Sequence, residues 1–468
     1  MSTFAIRSPS LPSEPFRNRD DGFLPLAIHG SEAGSTPGVW GSAGGRPGSG
    51  TALAFARAMP LISIVLPTHR REHLLRTALE SVVTSSGFDD YEVVVGDNSA
   101  NASAEPIVGA FNDPRIRYFN TGQDLDIYGS WNFAIDHAGG KYTFLFADDD
   151  AFLPDGLKKI SEALARYQMP EFLGLAAGWY SRPGFRRGPA NAIKFDENYL
   201  RSGLEPPEAL LKEHFSFGRP SFSPTYTMVD EAVRDKLRAR GLPIFLPLFP
   251  DYSLQAMALA VAKTAAGMHE PTLVHGYAVE SLGEQYCYPR KNLRWPAPAG
   301  EDTVFRHSPL HGYTFTNGRL ETMLRVQEAL PETAPIDIDG ISFLKLYGRE
   351  LLFEGTWRDV SADAEEYVRY VRSLGEPHKT QAFTQMKGPL LQLCAMVELK
   401  AWEQIQVGPD EWMQGSDQGF DDIVGAARKG RELYEAKRRR AEVLREAVRR
   451  ATEAPRGGSA FSVSEGRS

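Results

Sequence analysis

Tyr142-Thr143-Phe144-Leu145-Phe146-Ala147-Asp148-Asp149-Asp150 joins an apolar run to three consecutive carboxylates. Read as a strand, the run drives clustered negative charge to the end of a buried element, which is costly unless a cation or hydrogen bonds compensate it. A divalent metal held by hard oxygen ligands, Mg²⁺ or Mn²⁺, is one compensation. Solvated acids in a polar turn ahead of Leu153-Pro154-Asp155-Gly156 are the other reading. The flanking segments weigh on the choice.

Upstream, Leu61-Ile62-Ser63-Ile64-Val65-Leu66 is a short β-rich run closed by Pro67, the pattern of a buried strand. From Arg71 to Val83, apolar residues recur at helical spacing (Leu74, Leu75, Ala78, Leu79, Val82). Tyr91-Glu92-Val93-Val94-Val95 predicts a second strand, ending at Gly96-Asp97-Asn98-Ser99, and Arg115 to Phe119 a third. Ser130 to His137 predicts a helix, stopped at Gly139-Gly140, where a left-handed cap is cheap. This alternation predicts an α/β fold with a mostly parallel sheet and helices on both faces. Ligands bind such sheets at the carboxyl ends of the strands. Thr68, Asp97 and Asp148–Asp150 each lie just past a predicted strand end, so separate strands aim polar groups at one crevice.

Downstream, a helix carrying Leu157, Ile160 and Leu164 leads to a strand at Phe172 to Ala177. Asp251 opens another helical pattern (Leu254, Met257, Ala258, Val261), and the strand Thr272-Leu273-Val274-His275 follows. Beyond about residue 300 helix-like segments dominate. Residues 1–58, rich in Gly, Ser, Pro and Ala, bury too little to offset chain entropy and are expected to form a disordered extension. The expected order is therefore an α/β domain over 59–295, a mainly helical region over 296–452 and a disordered tail over 453–468.

The bulk numbers narrow the class. With 468 residues, 42% hydrophobic and 24% charged, the chain reads as a catalytic core with appendages. A formal charge of -8 argues against nucleic acid as the partner of the whole chain. Cys287 and Cys394 give neither a disulfide framework nor zinc spacing, which fits a reducing compartment. No apolar stretch has the length of a membrane span, and no apolar core of a secretory signal follows Arg7, so the expected location is the cytoplasm. The basic stretch near Lys437-Arg438-Arg439-Arg440 reads either as a solvated helix face or as a peripheral contact with the inner face of a membrane.

Residues 60–280 resemble the family 2 glycosyltransferases of the GT-A fold, which transfer sugars from nucleotide diphosphates. The likeness rests on Ile62 to Arg71 with Leu74-Leu75 and Ala78-Leu79-Glu80-Ser81-Val82, on Asp97, and on Ala138-Gly139-Gly140-Lys141-Tyr142 leading to the acidic triad with Pro154 downstream. Their order and spacing together are specific, whereas each alone is common. His69 replaces the usual aromatic or hydrophobic residue, and Gly96-Asp97 the commoner double aspartate. The resemblance implies that Asp149 binds the metal with Asp150 beside it, that Asp148 contacts the ribose, and that Asp97 meets the base. It places Pro67, Thr68 and Arg70 beside the nucleotide, and Pro250-Asp251-Tyr252 where the family carries its general base. A late histidine near the metal is matched by His275.

Each assignment has a structural rival. Asp97 is a base contact or an Asx-turn; Arg70 and Arg71 are nucleotide contacts or surface cations; Asn132 reaches the nucleotide or is a helix-face amide. Asp251 is the base or an N-cap, and His275 a metal neighbour or a packed core histidine. Trp179-Tyr180 and Phe215–Phe222 shape an acceptor platform or pack the core.

The resulting expectation is a metal-dependent (Mn²⁺ or Mg²⁺), inverting hexosyltransferase. Its donor is a nucleotide-diphosphate sugar, a UDP-sugar by preference, and its acceptor a hydroxyl of a glycan, lipid-linked or protein-linked chain in polysaccharide assembly. The alternatives are a nucleotidyltransferase, for which Pro67-Thr68-His69-Arg70 lacks the glycines of a phosphate loop, and a silent sugar-nucleotide-binding module.

Overall fold

The computed structural model describes residues 5–6, 59–185, 189–195, 202–218, 222–278, 280–281, 297–298, 300–355, 359–376 and 424–435, with isolated positions between 378 and 439. Apart from Met59, these fall in one compact unit. The expected extension 1–58 lies outside the described residues except for Met1–Ser8's strand Ala5–Ile6, which pairs antiparallel with Ile338–Asp339. Cys287, Cys394, the basic stretch from Lys437 and the tail 453–468 also lie outside, save position 439.

The first half alternates as its periodicity predicts. β1 (Ile62–Thr68), α1 (Glu72–Thr84), β2 (Tyr91–Asp97), α2 (Glu105–Gly109), β3 (Ile116–Asn120), α3 (Ile127–Asp136) and β4 (Tyr142–Leu145) follow in order. β1 pairs parallel with β2 and β4, and β2 with β3. β1 and β2 are buried along their whole length, so both faces must be apolar, which explains their near-continuous β-branched runs. α3 begins one turn earlier than its apolar pattern suggests, because Asp126 caps it by accepting from the Gly129 N–H. It ends at His137 in a right-handed conformation rather than at a left-handed glycine. Gly140 is small for another reason: a Cβ there would stand 2.7 Å from the backbone nitrogen of Ser63.

The second half departs from simple alternation. β5 (Ala151–Phe152), α4 (Gly156–Arg166), β6 (Phe172–Ser181), β7 (Ala192–Phe195), β8 (Gly203–Glu205), α5 (Pro207–Phe215) and β9 (Thr227–Asp230) come next. α6 (Glu231–Arg238), α7 (Pro250–Val261) and β10 (Ala265–Tyr277) complete the domain. β9 lies antiparallel between β4 and β6, so the sheet is mixed, in the order β7-β6-β9-β4-β1-β2-β3. β10 runs parallel to β6 and, past a register shift at Pro271, pairs antiparallel with β5. It thereby brings His275 back beside the acidic turn.

The helices α8 (Phe315–Ala329), α9 (Gly340–Glu354) and α10 (Ser361–Ser373) follow. Leu320, Met323 and Leu324 of α8 share one core with Leu254 and Met257 of α7. The helical residues 424–435 pack Val424, Ala427 and Leu433 against Ala151, Phe195 and Val274. Among the described residues no helix is long and apolar enough to cross a membrane.

Candidate active site

The acids do sit in a turn, between β4 and β5, but the turn is not solvated: Asp148, Asp149 and Asp150 are 0%, 2% and 0% exposed. Burial at this level demands partners, and the structure supplies them from three other elements. Thr68, at the end of β1, donates its hydroxyl to Asp148 Oδ2 at 2.7 Å. Arg71, at the start of α1, donates Nε to the same oxygen at 3.2 Å and Nη2 to Oδ1. Its Nη1 reaches Asp149 Oδ2 at 3.3 Å. Arg71 is therefore neither a surface cation nor a direct reader of the nucleotide here; it is the counter-charge of the triad. Burial alone would lower the Arg71 guanidinium pKa, but the charges of Asp148 and Asp149 more than reverse this and hold it firmly protonated. Asp148 is pushed up to about 6, burial outweighing the opposing charge of Arg71.

Asp150 is committed elsewhere. Its Oδ1 accepts from the Gly276 N–H at 3.0 Å and from His275 Nδ1 at 2.9 Å, and its Oδ2 from the Tyr226 hydroxyl at 3.1 Å. Asp150 thus turns its oxygens to β10 and to Tyr226. His275 is packed as well as paired: Trp179 and Tyr277 meet its ring edge-on at 5.2 Å and 4.9 Å. Burial would lower the His275 pKa, but the adjoining Asp150 charge raises it overall. Tyr226, unmarked in the sequence reading, is wholly buried and also contacts His275 Nδ1.

The remaining candidates divide. Pro67 and Thr68 lie opposite Gly96 and Asp97 across the β1–β2 ladder, so these strand ends do meet. Asp97 nevertheless faces inward. Its Oδ1 accepts from Ser99 Oγ at 2.6 Å, and its Oδ2 from the Ala104 N–H at 3.0 Å and Tyr118 Oη at 2.7 Å. Its carboxylate thus closes the loop after β2, as in the Asx-type alternative. Arg70 turns away from the triad to Asp124, at 2.6 Å, with a positive φ of 54°. Asn132 donates to the Tyr128 and Phe245 carbonyls at 2.9 and 3.1 Å and accepts from the Ile244 and Phe245 N–H groups. That set of bonds clamps the segment leading to α7.

Asp251 occupies the first turn of α7, where Phe249 is the cap residue and no side chain caps the helix, so the N-cap alternative fails. Its Oδ2 accepts from the Thr225 hydroxyl at 2.9 Å. Burial raises its pKa, with the Thr225 hydrogen bond and the charge of His275 opposing. The next residue, Tyr226, donates to Asp150, so the chain at 225–226 links the acid of α7 to the acidic turn.

Among the described residues no group of three or more His, Cys, Asp or Glu side chains is disposed around a common cation position. Mg²⁺-like ions often use one or two carboxylates together with substrate phosphates, and Asp149, touched only weakly by Arg71, offers hard oxygen of that kind. The donor set fits such a site through Asp149, with Asp148 adjoining.

Comparison with known proteins finds likenesses in sequence over the segment that carries the acidic turn. Residues 63–199 match the model of the family described as "Glycosyl transferase family 2". A stretch of 107 residues is 30% identical to the GalNAc(5)-diNAcBac-PP-undecaprenol beta-1,3-glucosyltransferase of Campylobacter jejuni, covering 22% of this chain and 34% of the relative. The putative colanic acid biosynthesis glycosyl transferase WcaA of Escherichia coli is 33% identical over 100 residues, 21% of this chain and 36% of WcaA. The chain thus spans about a third of the length of these curated relatives. Among solved structures, Staphylococcus aureus TarS 1-349 in complex with UDP-GlcNAc aligns over 72% of this chain and 83% of its own, at 14% identity and a TM-score of 0.39. Over the segment 63–199, carried by the α/β core, the chain is thus similar to glycosyltransferase family 2.

Proposed function

We propose that this protein transfers a sugar from a nucleotide-diphosphate donor to an acceptor hydroxyl, in a single displacement that inverts the anomeric centre. The observation that carries the reading is that adjacent residues bond both acids, Thr225 donating to Asp251 at the start of α7 and Tyr226 to Asp150 of the acidic turn. Glycosyl transfer needs both parts: a site for the leaving diphosphate and a base on the opposite face of the sugar.

In this scheme Asp251 accepts the proton of the acceptor hydroxyl as its oxygen bonds to the sugar carbon and the bond to the diphosphate breaks. The raised pKa of Asp251 makes it a stronger base than an exposed aspartate would be. Asp149, with Asp148 adjoining, would hold a Mn²⁺ or Mg²⁺ ion. That ion, when bound, neutralises charge developing on the leaving group. Arg71 and Thr68 orient Asp148, while Tyr226, His275 and the Gly276 N–H fix Asp150 and so the shape of the turn.

The printed names of the Campylobacter relative and of an Escherichia coli UDP-Glc:alpha-D-GlcNAc-diphosphoundecaprenol beta-1,3-glucosyltransferase favour a hexose donor, UDP-linked by preference, and a lipid-linked or other glycan acceptor in polysaccharide assembly. A cytoplasmic position, facing such an acceptor at the membrane, belongs to the same reading. The test is a thermal-stabilisation screen of UDP-, GDP-, CMP- and dTDP-sugars with and without Mn²⁺. A true donor at about 100 times its Kd should stabilise the protein by about 2.7 kcal/mol. Asp149→Ala should lose the Mn²⁺-dependent part, and Asp251→Asn should keep donor binding while losing transfer. No response to any nucleotide sugar would sink the donor site; equal responses in wild type and Asp149→Ala would remove the metal.

A further inference from the structure

Arg182 lies one residue beyond β6 and is held by its own backbone, whose N–H donates to the Tyr277 carbonyl at 3.1 Å. Its Nη2 approaches the backbone oxygen of Asp149 at 3.4 Å, and its guanidinium carbon stands 5.9 Å from the Tyr180 ring centroid. Its Nε is buried and has no hydrogen-bond acceptor. No carboxylate pairs with Arg182 among the described residues. The other charges around the turn are matched: Arg71 against Asp148 and Asp149, His275 against Asp150. Near the same strand end, the buried Nε1 of Trp179 also lacks an acceptor.

A buried N–H without an acceptor costs free energy, and an unmatched guanidinium adds to it. A group that accepts hydrogen bonds and carries negative charge would satisfy both Nε and the guanidinium charge. A sugar hydroxyl meets the first need only. A phosphate meets both, and the planar fork of arginine suits its oxygens.

We propose that Arg182 anchors a diphosphate bound beside Asp149. The proposal rests on the nucleotide-sugar reading of the site and adds to it a residue outside the matched segment's acidic motif. Two sources share this chemistry: the diphosphate of the donor, and that of a lipid-diphosphate acceptor.

Calorimetric titration separates them. UDP and GDP serve as donor-side probes, uridine and guanosine as phosphate-free controls, and farnesyl diphosphate as the acceptor-side probe. Arg182→Gln should weaken the relevant diphosphate by about ten- to hundredfold and leave the nucleosides unchanged. Arg182→Lys, which keeps the charge and loses the fork, should fall between, and it decides the matter if the Gln variant fails to fold. Weakening of the nucleoside diphosphate assigns Arg182 to the donor; weakening of farnesyl diphosphate alone assigns it to the acceptor. Unchanged affinity for every diphosphate the wild type binds overturns the proposal and leaves the nucleotide-sugar reading standing. A wild type that binds farnesyl diphosphate but no nucleotide overturns that reading instead, and a wild type that binds neither overturns both.

Discussion

Arg71 straddles two carboxylates of the acidic turn, with Nε 3.2 Å from Asp148 Oδ2 and Nη1 3.3 Å from Asp149 Oδ2. The guanidinium supplies beside these carboxylates the positive charge that the proposed cation at Asp149 would also bring. Asp148 is fully buried and the Arg71 side chain 21% exposed, so the pair is only lightly screened. Cation binding at Asp149 and the hold of Arg71 on it are therefore in competition.

Replacing Arg71 with Met should leave Asp148 and Asp149 without their counter-charge and destabilise the protein by about 3 kcal/mol, as when one partner of a buried pair is removed. Mn²⁺ should restore part of that loss. In chemical denaturation with and without Mn²⁺, the Arg71→Met midpoint should rise more than that of the wild type. Equal responses in the two proteins would show that Arg71 and the cation do not compete.

Asn132 ties α3 to the segment before α7 through bonds to Tyr128, Ile244 and Phe245. Asn132→Ala should cost about 2 kcal/mol, since a net hydrogen bond is worth about 1 and the abandoned backbone groups are only part-buried. Nucleotide affinity of the folded variant should equal that of the wild type. Weakened nucleotide binding at unchanged stability would return Asn132 to the donor site.

What the sequence made legible follows from how local each feature is. β1, β2 and the strand before the triad are continuous apolar runs stopped by polar residues, so their positions could be read directly. β10 was seen only from Thr272 onward because His269-Glu270-Pro271 interrupts it, and the register does shift at Pro271. β9, with four residues, carries too short a pattern to register. The site shows the same division. The loop after β2 closes on Asp97 through Ser99 and Ala104, near neighbours that an Asx-type pattern suggests. Arg71 and Asn132 find their partners 77 and 113 positions away, where no local spacing records the contact.

Glu92, at the start of β2, accepts from Ser63 Oγ at 2.7 Å, the Gly139 N–H at 2.7 Å and Arg117 at 2.8 Å. Burial alone would raise its pKa, but these hydrogen bonds and the Arg117 charge lower it below the ordinary 4.5. Its folded form thus binds protons more weakly than its unfolded form. The stabilisation is present above the unfolded value and is lost as pH falls through the depressed folded value. Glu92→Gln should cost about 2 kcal/mol at neutral pH and flatten the acid side of the stability profile. Urea midpoints measured down through the carboxylate range check this; a variant whose acid slope matches the wild type would exclude Glu92 as its source.

The Thr225–Asp251 hydrogen bond sets the last expectation. As a base, Asp251 works only when ionised, so transfer should decline as pH falls through its folded pKa. That value is raised above 3.8, burial being the largest cause, so the acid limb of the rate profile should lie above the ordinary aspartate range. Thr225→Val removes a donor that favours the carboxylate. One such bond is worth about 1.5 kcal/mol, so the limb should move up by about one pH unit while the plateau rate at high pH is largely kept. Asp251→Asn should abolish both limb and plateau. The informative measurement is kcat/KM against pH for the three proteins with a single donor. A Thr225→Val limb that coincides with the wild type, or shifts downward, would mean that another group supplies the base and that Asp251 serves α7 alone.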